Sequence, residues 1–167
     1  MAELSQSQKT ALKVFINANP TYKNLADTGD NDGLAKLLSA DATTNPWCWR
    51  TAVTRSEYEE LTSQDATTFD FTVLIARSQG ERDVYFRLFD KGPVNPSRDR
   101  IRQAFADIFS GASGAAQRTH MTSVSRRKAN VAEKALATGT GTTASPMTLT
   151  YEGGIDPYQV TAIMADG

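Results

Sequence analysis

Ala137-Thr138-Gly139-Thr140-Gly141-Thr142-Thr143-Ala144-Ser145-Pro146-Met147-Thr148-Leu149-Thr150-Tyr151-Glu152-Gly153 separates two kinds of sequence. Everything before it carries apolar residues at helical spacing. The stretch itself cannot be the inside of a helix. Gly139 and Gly141 each cost about 1 kcal/mol against alanine there. Pro146 lacks a backbone donor and restrains the residue before it. After Pro146 the period changes to two: Met147, Leu149 and Tyr151 alternate with Thr148, Thr150 and Glu152, which predicts a short strand with one apolar face. A single strand after a helical body leaves backbone donors and acceptors that must find a sheet or stay in water. The simplest partner is another molecule. The expected fold is therefore mainly α: a helical bundle over residues 1–137, followed over residues 138–167 by a Gly/Thr hinge and an extended C-terminal β arm. Thr140, Thr142, Met147, Leu149 and Tyr151 are the expected partner-docking residues of that arm.

Working outward, the body reads as a series of short helices. Ser5 or Ser7 can cap a first helix to about Ala18, with Leu12, Phe15 and Ile16 on one face, and Asn19-Pro20 stops it. A short helix around Tyr22 to Ala26 and another from Leu34 to about Ala40 flank the turn Asp27-Thr28-Gly29-Asp30-Asn31-Asp32-Gly33. That turn has hard oxygen ligands but lacks the calcium-loop spacing: Ser39, Ala40 and Asp41 lie where the bidentate Glu is needed, so it reads as a helix-capping turn. Thr54 and Glu57 form a capping box that opens a helix to about Leu61 or Thr62. Trp47 and Trp49 are expected to anchor a loop onto a core. Thr72 to Phe89 has apolar residues at helical spacing throughout and is expected to be one central core helix. Ser97 is the expected N-cap of a helix from Arg98 to about Phe109. A helix from Ala115 to about Val124 and a last one from about Ala129 to Ala137 lead into the hinge.

Composition narrows the function classes. With 167 residues and 40% hydrophobic residues the chain can bury a real core, and its net charge of -1 gives no global pull towards nucleic acid or membrane. The charge is uneven: residues 1–97 carry ten basic and thirteen acidic residues, residues 98–134 eight and three, and residues 135–167 none and three. Ser125-Arg126-Arg127-Lys128 is the densest positive spot, so Arg126, Arg127 and Lys128 are candidates to face DNA or to line a tunnel. Cys48 is the one cysteine and His120 the one histidine, which removes an internal disulfide, a CxxC pair and a histidine-rich zinc site. A Ser-His-Asp or Cys-His arrangement would have to use His120, and no Gly-x-Ser-x-Gly elbow accompanies it. The glycine-rich stretch lacks the Gly-Lys-Ser/Thr ending of a phosphate loop and follows a helix instead of preceding one. No enzymatic activity, metal or cofactor is expected. The start of the chain has no signal-peptide pattern, and no apolar run approaches the roughly 20 residues that span a bilayer, so no membrane partner is expected.

Three segments carry a family resemblance, in this order: Trp49-Arg50-Thr51-Ala52-Val53, Gly92-Pro93-Val94-Asn95-Pro96-Ser97, and above all Glu133-Lys134-Ala135-Leu136-Ala137 running through the hinge to Pro146, with Glu152-Gly153. Together they resemble a family of small head and neck structural proteins of tailed bacteriophages. The hinge is the specific part. Members of that family often carry Trp in the helix that matches Gly80 to Phe89, where this chain has Tyr85, Phe86 and Phe89; an aromatic core is kept with different packing. The resemblance implies a virion component at the head–tail junction, made in the host cytoplasm. It implies a head-to-tail connector, the adaptor that docks on the portal ring and meets a tail-proximal neck or tail protein, as a ring of about a dozen copies. A tail terminator, a stopper or another head-completion protein is the alternative within the virion. A packaging accessory protein that binds genome DNA through Arg126, Arg127 and Lys128 is the alternative of another class.

Overall fold

The structure is a computed structural model and describes residues 3–165. In chain order these residues form α1 (Gln6–Ala18), α2 (Pro20–Thr28), α3 (Asn31–Ser39), β1 (Trp47–Trp49), α4 (Arg55–Glu60), α5 (Phe71–Ile75), α6 (Gln79–Leu88), α7 (Asp99–Ile108), a 3₁₀ turn (Ala112–Gly114), α8 (Ala115–Val124), β2 (Arg126–Lys128), α9 (Val131–Leu136) and α10 (Pro157–Ala165). The protein is mainly helical, as the periodicity predicts, with β1 and β2 paired as a two-stranded sheet. It divides into two compact units: residues 1–48 with 128–167, and residues 49–127. The first unit is thus made from both ends of the chain.

Unit 1 is built on well-capped short helices. The Ser5 hydroxyl accepts from the Gln8 N–H while the Gln8 side chain accepts from the Ser5 N–H, a reciprocal cap that starts α1. Asn19 accepts from the N–H groups of Thr21 and Tyr22, and Pro20 fills the first helical position, where no donor is needed. Asp30 Oδ1 accepts from the Gly33 N–H at 2.9 Å, so the acidic turn is a helix cap, as its spacing indicates. Leu12 and Ile16 of α1 and Leu34 and Leu38 of α3 are completely buried, each pair one helical turn apart. They share a core with Ala132, Tyr151, Ile155, Val160 and Ile163.

Unit 2 packs around aromatics. Tyr58, Tyr85 and Phe109 have no exposed surface. Tyr58 meets Phe89 and Phe105 edge-on at 5.8 and 5.1 Å between centroids, in the geometry that ring quadrupoles favour. The expected capping box of Thr54 and Glu57 opens α4. Trp49 is half-buried and lies under the Arg102 guanidinium, 4.4 Å from the ring centroid.

Three expectations are corrected here. The single helix from Thr72 to Phe89 is two: α5 is capped by Asp70, α6 by a second box of Ser78 and Glu81, and Ala76-Arg77 separates them. Only Leu74 and Tyr85 of that stretch are buried, so it is not the centre of a core. Ser97 does not cap α7. Its hydroxyl donates to Asn95 Oδ1 at 2.5 Å, and Arg98 occupies the N-cap position with no side-chain cap bond. Finally, the extended C-terminal arm is not seen: the segment after Thr138 folds into unit 1 and ends in α10.

Candidate partner-docking segment

Geometry over residues 137–165 explains why the segment is folded back. The predicted strand from Met147 to Tyr151 makes isolated bridges only. Thr138 and Thr148 exchange two backbone bonds of 3.0 and 2.9 Å, and Met147 pairs in parallel with Cys48. The Met147 N–H donates to Trp47 O at 2.9 Å, and the Trp47 N–H donates to Gly141 O at 2.9 Å. Met147 is 2% exposed and packs with Cys48 and Ala129, with Leu149 half-buried beside them. Tyr151 is buried in the unit 1 core, and its hydroxyl donates to Gly154 O at 2.7 Å. Burial raises its pKa. The apolar face that alternation predicts is therefore real, but its partner is the same chain. The exposed Thr140 hydroxyl donates to Ser145 O, and Thr142 Oγ1 accepts from the Ser145 N–H; together they shape a local turn.

Glu133 is the pivot of this arrangement and lies buried at 2% exposure. One carboxylate oxygen accepts from the Asn130 N–H at 3.0 Å, the other from the Gly153 N–H at 2.9 Å. The Asn130 side chain caps α9 through the Glu133 N–H and donates to Gly153 O at 2.9 Å. The Gly153 residue is held at both its N–H and its carbonyl. Further along, the Ser39 hydroxyl bonds both the N–H and the carbonyl of Ile155, at 2.8 and 3.0 Å. Asp156 and Gln159 cap α10 reciprocally, and its Val160 and Ile163 are completely buried. Asp156-Pro157 followed by Val160 and Ile163 is a helix-start pattern that the sequence carries.

The three residues of the basic spot form β2 and differ in burial. Arg126 is 6% exposed and pairs with Asp65, while Gln64 Nε2 donates to its carbonyl at 3.0 Å. Arg127 is half-buried and Lys128 exposed. His120 is fully buried: Nε2 donates to Tyr58 O at 2.7 Å, which leaves Nδ1 to accept from the Thr67 hydroxyl at 3.1 Å. Both ring nitrogens therefore serve packing. Among the described residues no group of three or more His, Cys, Asp or Glu side chains could hold a metal ion, and no helix is long and apolar enough to cross a membrane. Comparison of the chain with models of known protein families, with curated proteins and with solved structures finds no match.

Proposed function

We propose that this chain is a structural virion protein of a tailed bacteriophage, a head-to-tail connector that docks on the portal ring and joins it to the tail. One observation carries the reading. Residues of the family-like motif hold backbone: Glu133 grips Gly153, and Gly141 receives Trp47. A motif spent on backbone geometry fits a protein whose task is to present a shaped surface. In this reading the protein works as a ring of about a dozen copies at the virion neck, bound to the portal on one side and to a tail-proximal protein on the other. The exposed Thr140 side of the hinge turn is available to a neighbour, while Met147 and Tyr151 are already occupied within the chain.

The test is sedimentation of the purified full chain with preassembled portal rings of the same phage, each also run alone. Comigration with the rings is expected. If the chain stays with the slow fractions, the adaptor reading fails, and a terminator or stopper, assayed against tail tubes, takes its place.

A further inference from the structure

Apart from the half-buried Arg127, the cations of unit 2 fall into two sets. Arg50 pairs with Glu57, Arg55 with Glu59, and Arg126 with Asp65. Arg77 donates to Ser110 O, Arg82 to Ile75 O and Arg77 O, Arg102 to Pro96 O, and Arg118 to Phe109 O and Gly111 O. Apart from Arg55, whose pair lies within α4, these guanidinium groups tie connectors or helix ends in place. Arg87, Lys91, Arg98 and Arg100 do nothing of the kind: all are exposed, and among the described residues their side chains make no hydrogen bond, ion pair or ring contact.

The four lie together. Tyr85 meets Phe109 at 6.0 Å and Phe89 meets Phe105 at 6.3 Å, so one turn forward along α6 corresponds to one turn back along α7. The helices are antiparallel, and the end of α6, the connector and the start of α7 share one end of the hairpin. Arg87 lies in the last turn of α6, Lys91 in the connector, and Arg98 and Arg100 at the first positions of α7. Asp99 is taken by Arg102, which leaves Asp83 and Asp90 as the carboxylates near this end. Arg98 and Arg100 sit at the positive end of the α7 dipole, where a cation works against the helix. The fold gains nothing from them there.

We infer that this hairpin end, Arg87, Lys91, Arg98 and Arg100, is a contact surface for the phosphate backbone of nucleic acid. Exposed cations gathered at one end of a hairpin suit a regularly spaced polyanion, and the read-out is charge without base sequence. The inference does not depend on the portal assignment, and the two assays probe the chain with different ligands, so either can fail alone.

The test is fluorescence anisotropy of a labelled duplex of about 20 base pairs titrated with the full chain between about 50 and 200 mM salt. Four phosphate contacts predict a slope of about -3.6 in log K against log salt, roughly a hundredfold loss over that range. Arg98→Gln/Arg100→Gln and Arg87→Gln/Lys91→Gln are each expected to flatten the slope by about 1.8, and duplexes of different sequence to bind alike. Lys36→Gln, an exposed cation of unit 1, serves as the control and is expected to leave the slope unchanged. Circular dichroism verifies that each double variant is folded. Absence of binding at low salt, or an unchanged slope in both folded double variants, overturns the inference. Tighter binding of a polyglutamate peptide than of the duplex also overturns it and assigns the surface to an acidic protein.

Discussion

Gly141 leaves no room for a side chain. Its φ is +73°, and a Cβ there would stand 2.1 Å from Asn45 O and 3.1 Å from Met147 Sδ. The first of these neighbours is backbone and cannot swing away. Gly141→Ala is expected to cost about 2–4 kcal/mol, the sum of a left-handed backbone for a residue with a Cβ and a displaced Asn45–Trp47 segment, measured by urea unfolding. Glu133→Ala removes the acceptors of two partly buried N–H groups and is expected to cost about 2 kcal/mol in the same assay, whereas Thr140→Ala on the exposed turn is expected to stay within about 0.5 kcal/mol. A glycine can signal freedom or close approach, and both look alike in sequence. Read locally, Gly139 and Gly141 suggest a flexible hinge. The residue that decides the matter, Asn45, is far away along the chain, and no local pattern points to it.

Among the elements, α10 was the hardest to foresee and has the largest effect on the reading. With Val160 and Ile163 buried against α1 and α3, Ile163→Ala is expected to destabilise the protein by about 3 kcal/mol in denaturant unfolding. Tyr158→Ala, at a side chain 83% exposed, is expected to be nearly silent. A free arm would predict no loss for either. The short helices α1 to α4 and α7 to α9 are legible because apolar residues recur at helical spacing between turn residues, although α7 and α8 have no side-chain cap bond. The Ser78–Glu81 box was equally present in the sequence but was overridden by apolar residues that continue at helical spacing through Ala76 and Arg77. The alternation of Met147, Leu149 and Tyr151 reported burial correctly. It could not report the partner, because Cys48 and Thr138 are joined to it only by tertiary folding.

For the whole molecule, the division into units is also a division of chemistry. Every arginine lies in unit 2, and every lysine except Lys91 lies in unit 1. Unit 2 has long connectors with many carbonyl groups to satisfy, and a guanidinium, with five N–H donors, can bond two at once, as Nη1 of Arg118 does with the carbonyls of Phe109 and Gly111. Unit 2 also carries three carboxylates at helix starts that are held below their ordinary range. Burial on its own would raise Glu57, but hydrogen bonds from Thr54 and Arg50 outweigh it. Hydrogen bonds from Thr72 lower Asp70, and those from Ser78 lower Glu81. A depressed folded pKa stabilises above the unfolded value, and this stability is lost as the pH falls through the lower folded value. The melting temperature is therefore expected to decline as the pH drops below the ordinary values of 4.5 for Glu and 3.8 for Asp. Glu57→Gln/Glu81→Gln is expected to melt lower at neutral pH and to show a shallower acid decline, read by calorimetry across a pH series.

Unit 1 has a further consequence, for synthesis on the ribosome. Its first part, with Leu12, Ile16, Leu34 and Leu38, emerges long before Tyr151, Val160 and Ile163, which complete the same core. Unit 2 is continuous and can close as soon as Arg127 is out. Translation therefore leaves a chain with a finished middle and an open beginning, held on that side until the last helix clears the exit tunnel. Nascent chains arrested at residue 167, with unit 2 outside the exit tunnel and the last helix still inside it, are expected to resist protease across residues 49–127 while being cut within residues 3–48, and release of the chain is expected to abolish the difference.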